Sequence, residues 1–166
     1  KDIHAAGDCA QFSEALPGRR PIEQVWYTGK AQAETLAQII AGAGTEYSPG
    51  IWFNSAKFFD LEYQVYGNVP AHLPDSDDTF LWQNTAGDKC LRINWSRQTQ
   101  ALVGIHAIGF RLRQEICCGW IGSKTPIHAA LAQLAQANFD PEFFKSHERE
   151  IFVNFAEETR SEAKRG

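Results

Sequence analysis

Apolar and polar positions along this chain change period several times, and each change marks an element. Leu36, Ile39, Ile40 and Ala43 recur at i, i+3, i+4 and i+7, so a helix is predicted over about residues 28–42, with Gly42 and Gly44 as its stop. Leu61 to Gly67 alternates apolar and polar and closes on a glycine, as a strand does. Thr79–Asn84 reads as a strand, Ala86-Gly87-Asp88 as a turn and Lys89–Trp95 as a further strand. The last carries Leu91, Ile93 and Trp95 on one face and Arg92 and Asn94 on the other. Ser96–Thr99 turns again, and Ala101–Ile108 follows with Val103 and Ile105 facing inward. Helical spacing of Phe110, Arg113/Gln114 and Cys117 predicts a helix over 110–121. Thr125-Pro126 reads as an N-cap with Pro at the first helical position, opening a helix to about Ala137 that buries Ile127, Ala130, Leu131 and Leu134. Asp140-Pro141 starts another short helix with Phe143 and Phe144 inward. The tail from Glu157 is charged and poor in apolar residues, so residues 157–166 are expected to be disordered.

The first half is less periodic. Asp2-Ile3-His4-Ala5-Ala6 is a short apolar run that reads as a strand ending in the turn Gly7-Asp8. A glycine there lets a ligand approach the backbone, and an acid just after it can accept hydrogen bonds from a sugar-like hydroxyl. Residues 13–25 are broken by Pro17, Gly18 and Pro21 and read as a loop. Tyr47-Ser48-Pro49-Gly50 forces a turn before the segment Trp52–Lys57. Phe58 and Phe59 anchor its far end, so the segment is predicted to be a pinned loop that presents Trp52, Asn54, Ser55 and Lys57.

Composition narrows the function classes. The 166 residues are 43% hydrophobic, enough for a real core, with eleven Phe, five Trp and four Tyr. A net charge of -4 gives no electrostatic case for nucleic acid or an anionic membrane. No apolar run approaches the roughly 20 residues of a membrane span. Cys9, Cys90, Cys117 and Cys118 contain no C-x-x-C pair, so neither a zinc site nor a redox pair is indicated. They are expected to be reduced in a cytoplasmic protein. His4, His72, His106, His128 and His147 show no metal-ligand spacing, and there is no Gly-x-Ser-x-Gly, which argues against a metalloenzyme or hydrolase. The chain opens on Lys1 and contains no Met, which is expected of an excised fragment.

Three features fall in one order: Ala-x-Gly-Asp, present as Ala5-Ala6-Gly7-Asp8, then Trp26-Tyr27-Thr28 opening a helix, then Trp52-Phe53-Asn54-Ser55 followed by Phe59-Asp60 and a strand ending in Gly67. This order resembles the C-terminal portion of FAD-dependent pyridine nucleotide oxidoreductases of the ferredoxin-reductase-like branch. The resemblance covers residues 1–145. It implies an α+β fold: an antiparallel β-meander packed with helices, preceded by the remnant of a Rossmann-like FAD-binding domain. The implied division is residues 1–44 as that remnant and residues 45–156 as an interface or dimerisation domain. The resemblance further implies FAD in the intact parent, with NAD(P)H as co-substrate. Gly7 and Asp8 would contact the ribityl or pyrophosphate part of FAD, and Trp26, Tyr27 and Thr28 would open the helix whose N-terminus approaches the flavin ring. Trp52, Asn54, Ser55 and Lys57 would stand on the substrate side. Relatives carry an acid soon after that Ser, whereas Lys57 stands here, and the spacing to Phe59-Asp60 is one residue longer. The expected partners are the rest of the parent chain and a second copy in a homodimer; the fragment alone is expected to be inactive. The alternative is a self-standing α+β module that binds a ligand or protein through its aromatics.

Overall fold

A computed structural model describes residues 3–14, 16, 18–139 and 145–162. The chain divides into two compact units, Lys1–Asn54 and Ser55–Gly166.

The first unit is organised by one helix, α1 (Trp26–Ile40). It starts where the aromatic pair begins and ends before Gly42, whose φ of 79° supplies the left-handed residue that a helix stop requires. Ile40 at its end is 72% exposed, so the apolar stripe read from the sequence is only partly covered within the unit. Residues 3–6, expected to be a strand, pair with no strand among the described residues. A strand exists only through its neighbour's hydrogen bonds, and the unit offers this segment none.

The loop that precedes α1 is held by a buried ion pair. Arg19 donates to Glu23 through both Nε (2.6 Å) and Nη2 (2.5 Å), with side-chain exposures of 9% and 2%. The third guanidinium contact goes to the Gly50 carbonyl at 3.0 Å, and the Thr28 hydroxyl donates to Glu23 at 3.2 Å. Sequence reading took 13–25 as a run of breakers. The loop is instead fastened to the first turn of α1 and to the 47–50 turn by one guanidinium and one carboxylate.

The second unit is an α+β domain. Its sheet contains β1 (Phe53–Phe58, beginning at the boundary between the units), β2 (Leu61–Gly67), β3 (Asp77–Gln83), β4 (Cys90–Ser96) and β5 (Leu102–Ile108), in the order β1-β2-β5-β4-β3. The β2–β5, β5–β4 and β4–β3 ladders are antiparallel. Helices α2 (Gln114–Gly122), α3 (Ile127–Ala132), α4 (Leu134–Ala137) and α5 (Glu148–Glu162) follow. Tyr66, Phe80, Trp82, Leu91, Ile93, Ile105 and Ala107 share one sheet face and are buried, as are Cys117, Ile127, Leu131 and Leu134 from the helices. The expected inward positions Leu91, Ile93 and Ile105 hold.

Val103 does not. Asn94 faces Gly104, but Trp95 faces Leu102, so Val103 is one extra residue on β5. This β-bulge passes the inward position to Leu102, which is 2% exposed. At the same place the chain leaving β2 crosses close over β5. Asn68 N–H donates to the Val103 carbonyl at 2.8 Å, and Gly104 lies directly beneath the Asn68 carbonyl. Asn94 was expected on a solvated face yet is fully buried. Its Oδ1 accepts from Thr79 at 2.7 Å and its Nδ2 donates to the Asn68 carbonyl at 3.4 Å.

The helices depart from expectation in three ways. The predicted 110–121 helix starts later, at Gln114, because Leu112 is claimed by the sheet. Its N–H donates to Gln64 at 2.6 Å and its carbonyl accepts from the Tyr66 hydroxyl at 3.0 Å. The predicted 126–137 helix is two short ones, broken at Gln133, though its expected buried residues are buried. Residues 157–162, expected to be disordered, extend α5. That helix docks through Ile151 and Phe155, one turn apart, with Phe155 edge-on to Phe80 at 5.3 Å and to Trp95 at 5.8 Å. The expected helix at Asp140-Pro141, with Phe143 and Phe144, lies outside the described residues.

Replacing Gly104 with Ala would drive a Cβ into the Asn68 backbone. Overpacking against backbone costs about 1–3 kcal/mol, so urea unfolding of Gly104→Ala is expected to show an unfolding free energy lower by that amount, seen as a lower midpoint with an unchanged slope. Glu23→Ala leaves the Arg19 guanidinium buried without its counter-ion. Such truncation costs about 3–5 kcal/mol, and the same measurement should show a larger loss for Glu23→Ala than for Glu23→Gln, which keeps hydrogen-bond capacity.

Candidate functional site

The first unit brings two of the three sequence features together. Gly7 adopts φ +84°, and the turn closes through the Ala10 N–H to the Gly7 carbonyl at 2.9 Å. This turn lies on α1. A Cβ on Gly29 would meet the Gly7 Cα at 3.4 Å, so the turn packs directly against this part of the helix. The Gly7 N–H donates to Gln32 Oε1 at 2.7 Å. Asp8, the next residue, is exposed and directs no hydrogen bond into the unit among those described.

The start of α1 carries no side-chain cap. Val25 at the N-cap has no side-chain oxygen to cap with, and no acid stands in the first turn. Helix starts of this kind present N–H groups and positive potential. Of the three residues singled out here, Trp26 is 70% exposed and lies edge-on to Tyr27 at 5.2 Å, with Lys30 Nζ 5.5 Å from its ring centre. Tyr27 packs against Phe53 at 4.6 Å. Thr28 is buried, and its hydroxyl is engaged with Glu23. What the helix start offers a ligand is therefore backbone, not the Thr28 side chain.

The Trp52–Lys57 segment is not a loop. Residues 53–58 form β1, paired with β2 through the turn Phe59-Asp60. Alternation along the strand puts Ser55 and Lys57 on one side and Asn54 on the other, so the four candidates do not form one constellation. Lys57 is exposed; Trp52, Asn54 and Ser55 are half-buried. Phe58 and Phe59 do not act as anchors: they are 59% and 96% exposed, and Phe59 sits at φ +53°. The hairpin was illegible because its turn lacks the Asn-Gly or Gly signal such a φ normally carries.

Sequence reading missed Gln32 and Tyr47. Tyr47 and Gln32 line one cleft, and burial raises the Tyr47 pKa above the usual phenol value, partly offset by Arg19. This half-open cleft of about 240 Å³ is lined also by His4, Phe12, Leu36 and Ile39. No spacing rule connects Gln32 to Gly7, 25 residues earlier.

The remaining chemistry-bearing residues are structural. Cys117 is fully buried, and burial, then Cys118 and Glu115, push its thiol far up, so it is no nucleophile. His106 is half-buried edge-on to Tyr63 at 6.0 Å, and burial and then Arg92 lower its pKa. Among the described residues no three His, Cys, Asp or Glu side chains converge to hold a metal. No helix among them is long and apolar enough to cross a membrane.

No family model and no curated protein matches this chain in sequence. Solved structures do match in fold. The chain is similar to an NAD-dependent persulfide reductase from A. fulgidus, with a TM-score of 0.65 and 17% identity over 96% of this chain and 32% of that one. It is similar to a FAD-dependent pyridine nucleotide-disulphide oxidoreductase from Desulfovibrio vulgaris, with a TM-score of 0.63 and 16% identity over 95% of this chain and 39% of that one. The chain thus has the fold of a part of flavoprotein reductases and spans about a third of their length.

Proposed function

We propose that this chain is the C-terminal part of an FAD-dependent NAD(P)H oxidoreductase, in which the first unit forms one wall of the flavin pocket and the second a packing or dimerisation surface. The observation that carries this reading is the seating of the Gly7-Asp8 turn on the start of α1. Two features that a flavin needs, an acid for sugar-like hydroxyls and an uncapped helix start for ring charge, are held by one contact.

The residues present fit the group. Nothing lies within 4 Å of where a Gly7 side chain would be, so the backbone there can receive a ligand. FAD would supply the hydride and electron transfer between NAD(P)H and an acceptor. The Asp8 carboxylate would accept hydrogen bonds from ribityl hydroxyls. The N–H groups at the start of α1 would hold negative charge at the ring's edge. The Arg19–Glu23–Thr28 network fixes where that helix start lies. Lys57, exposed on β1, would favour an anionic acceptor.

Asp8→Ala in the full-length protein is expected to weaken FAD binding. A hydrogen bond to a charged acceptor is worth roughly 1.5–3 kcal/mol, or about 10- to 150-fold in Kd. Titration of the apoprotein with FAD measures this, and an unchanged Kd removes the flavin reading. Lys57→Glu is expected to slow turnover with an anionic acceptor while stopped-flow reduction by NAD(P)H is unchanged. If both half-reactions keep their rates, Lys57 has no part in acceptor binding.

A further inference from the structure

We infer that Gln32 is a positioning residue for the Asp8 turn, acting through the Gly7 peptide. The inference rests on the flavin reading above and adds a residue to it.

The argument starts from the glycine. Gly7 stands at φ +84°, and without a side chain it has little intrinsic preference for that conformation over others. The peptide that enters Gly7 fixes the direction in which Asp8 leaves the turn. The local hydrogen bond from Ala10 closes the turn but leaves its orientation on the helix unset. The Gln32 carboxamide supplies that orientation. Its Oε1 accepts the Gly7 N–H at 2.7 Å, a short and well-made bond in a half-buried place.

Gln32 is suited to this by its position. It lies one turn beyond Thr28, whose hydroxyl is tied to the buried Glu23, so the carboxamide is borne by the best-fixed part of α1. A long amide side chain would otherwise sample several rotamers. Its surroundings confine it: Gln32 lines a cleft with Phe12 and Tyr47, whose rings stack at 6.1 Å with 12° between planes, in the segments that follow the turn and the helix. Helix and turn are joined through one carboxamide.

The test is a double-mutant cycle on the full-length flavoprotein, with FAD Kd read by titration of the apoprotein. Gln32→Leu keeps the side chain's bulk but cannot accept a hydrogen bond. Loss of one net hydrogen bond, roughly 0.5–1.5 kcal/mol, corresponds to a Kd about 2- to 12-fold higher. Gln32→Glu keeps an acceptor oxygen and is expected to restore most of the affinity. In the Asp8→Ala background, Gln32→Leu is expected to have no further effect, because its action passes through Asp8. Amide exchange at Gly7 in the apoprotein should quicken in Gln32→Leu and return toward normal in Gln32→Glu. The inference is overturned if Asp8→Ala weakens FAD while Gln32→Leu does not, or if the two losses add in full; the flavin reading survives both results. If Asp8→Ala itself leaves the Kd unchanged, the flavin reading fails first and the inference goes with it.

Discussion

The second unit depends on the crossing at Val103 and Gly104. One extra residue in β5 shifts its ladder with β4 between Asn94 and Trp95, and β5 changes face beyond it. Leu102 turns inward opposite Trp95, which keeps the face of Leu91 and Ile93 and meets Phe155 of α5. The Leu102 N–H is freed from the sheet and donates to the Thr125 carbonyl at 2.9 Å, and Ile127 donates to Gln100 at 2.9 Å. That pairing delivers α3 beneath the sheet. Above the bulge, the strand exit at Asn68 fits only because Gly104 has no side chain. Asn94 closes the junction by answering both Thr79 and the Asn68 carbonyl, so a fully buried amide is satisfied.

The first unit is built on a different principle. Trp26 and Ile40 of α1 are largely exposed. The unit's order comes from directed polar contacts. Arg19 and Glu23 neutralise each other out of water and between them reach Thr28 and Gly50. Gln32 reaches Gly7. Buried ion pairs add little net stability but are unforgiving of geometry.

The sequence carried the meander well. Leu91, Ile93 and Ile105 are buried because period-2 alternation with a one-sided core allows a single register, and Gly87 marked the hairpin between β3 and β4. It carried the start of α1 and the Gly7-Asp8 turn, since glycines and helical spacing are local signals. It was silent on β1, whose Asn, Ser, Ala and Lys have weak strand preference and whose turn uses Phe59 at a positive φ. It misread the charged stretch from Glu157, because that stretch continues a helix whose buried apolar residues, Ile151 and Phe155, lie before it.

By itself, then, the sequence determined what is decided between near neighbours: the alternation of the strands, the helix stop at Gly42 and the glycine of the Asp8 turn. Tertiary structure alone decided which face Val103 and Leu102 take, where α2 begins, that Thr28 serves Glu23, and that Gln32 holds Gly7 from 25 residues away. Those outcomes are set by which donors and acceptors, distant along the chain, become each other's only partners once water is excluded.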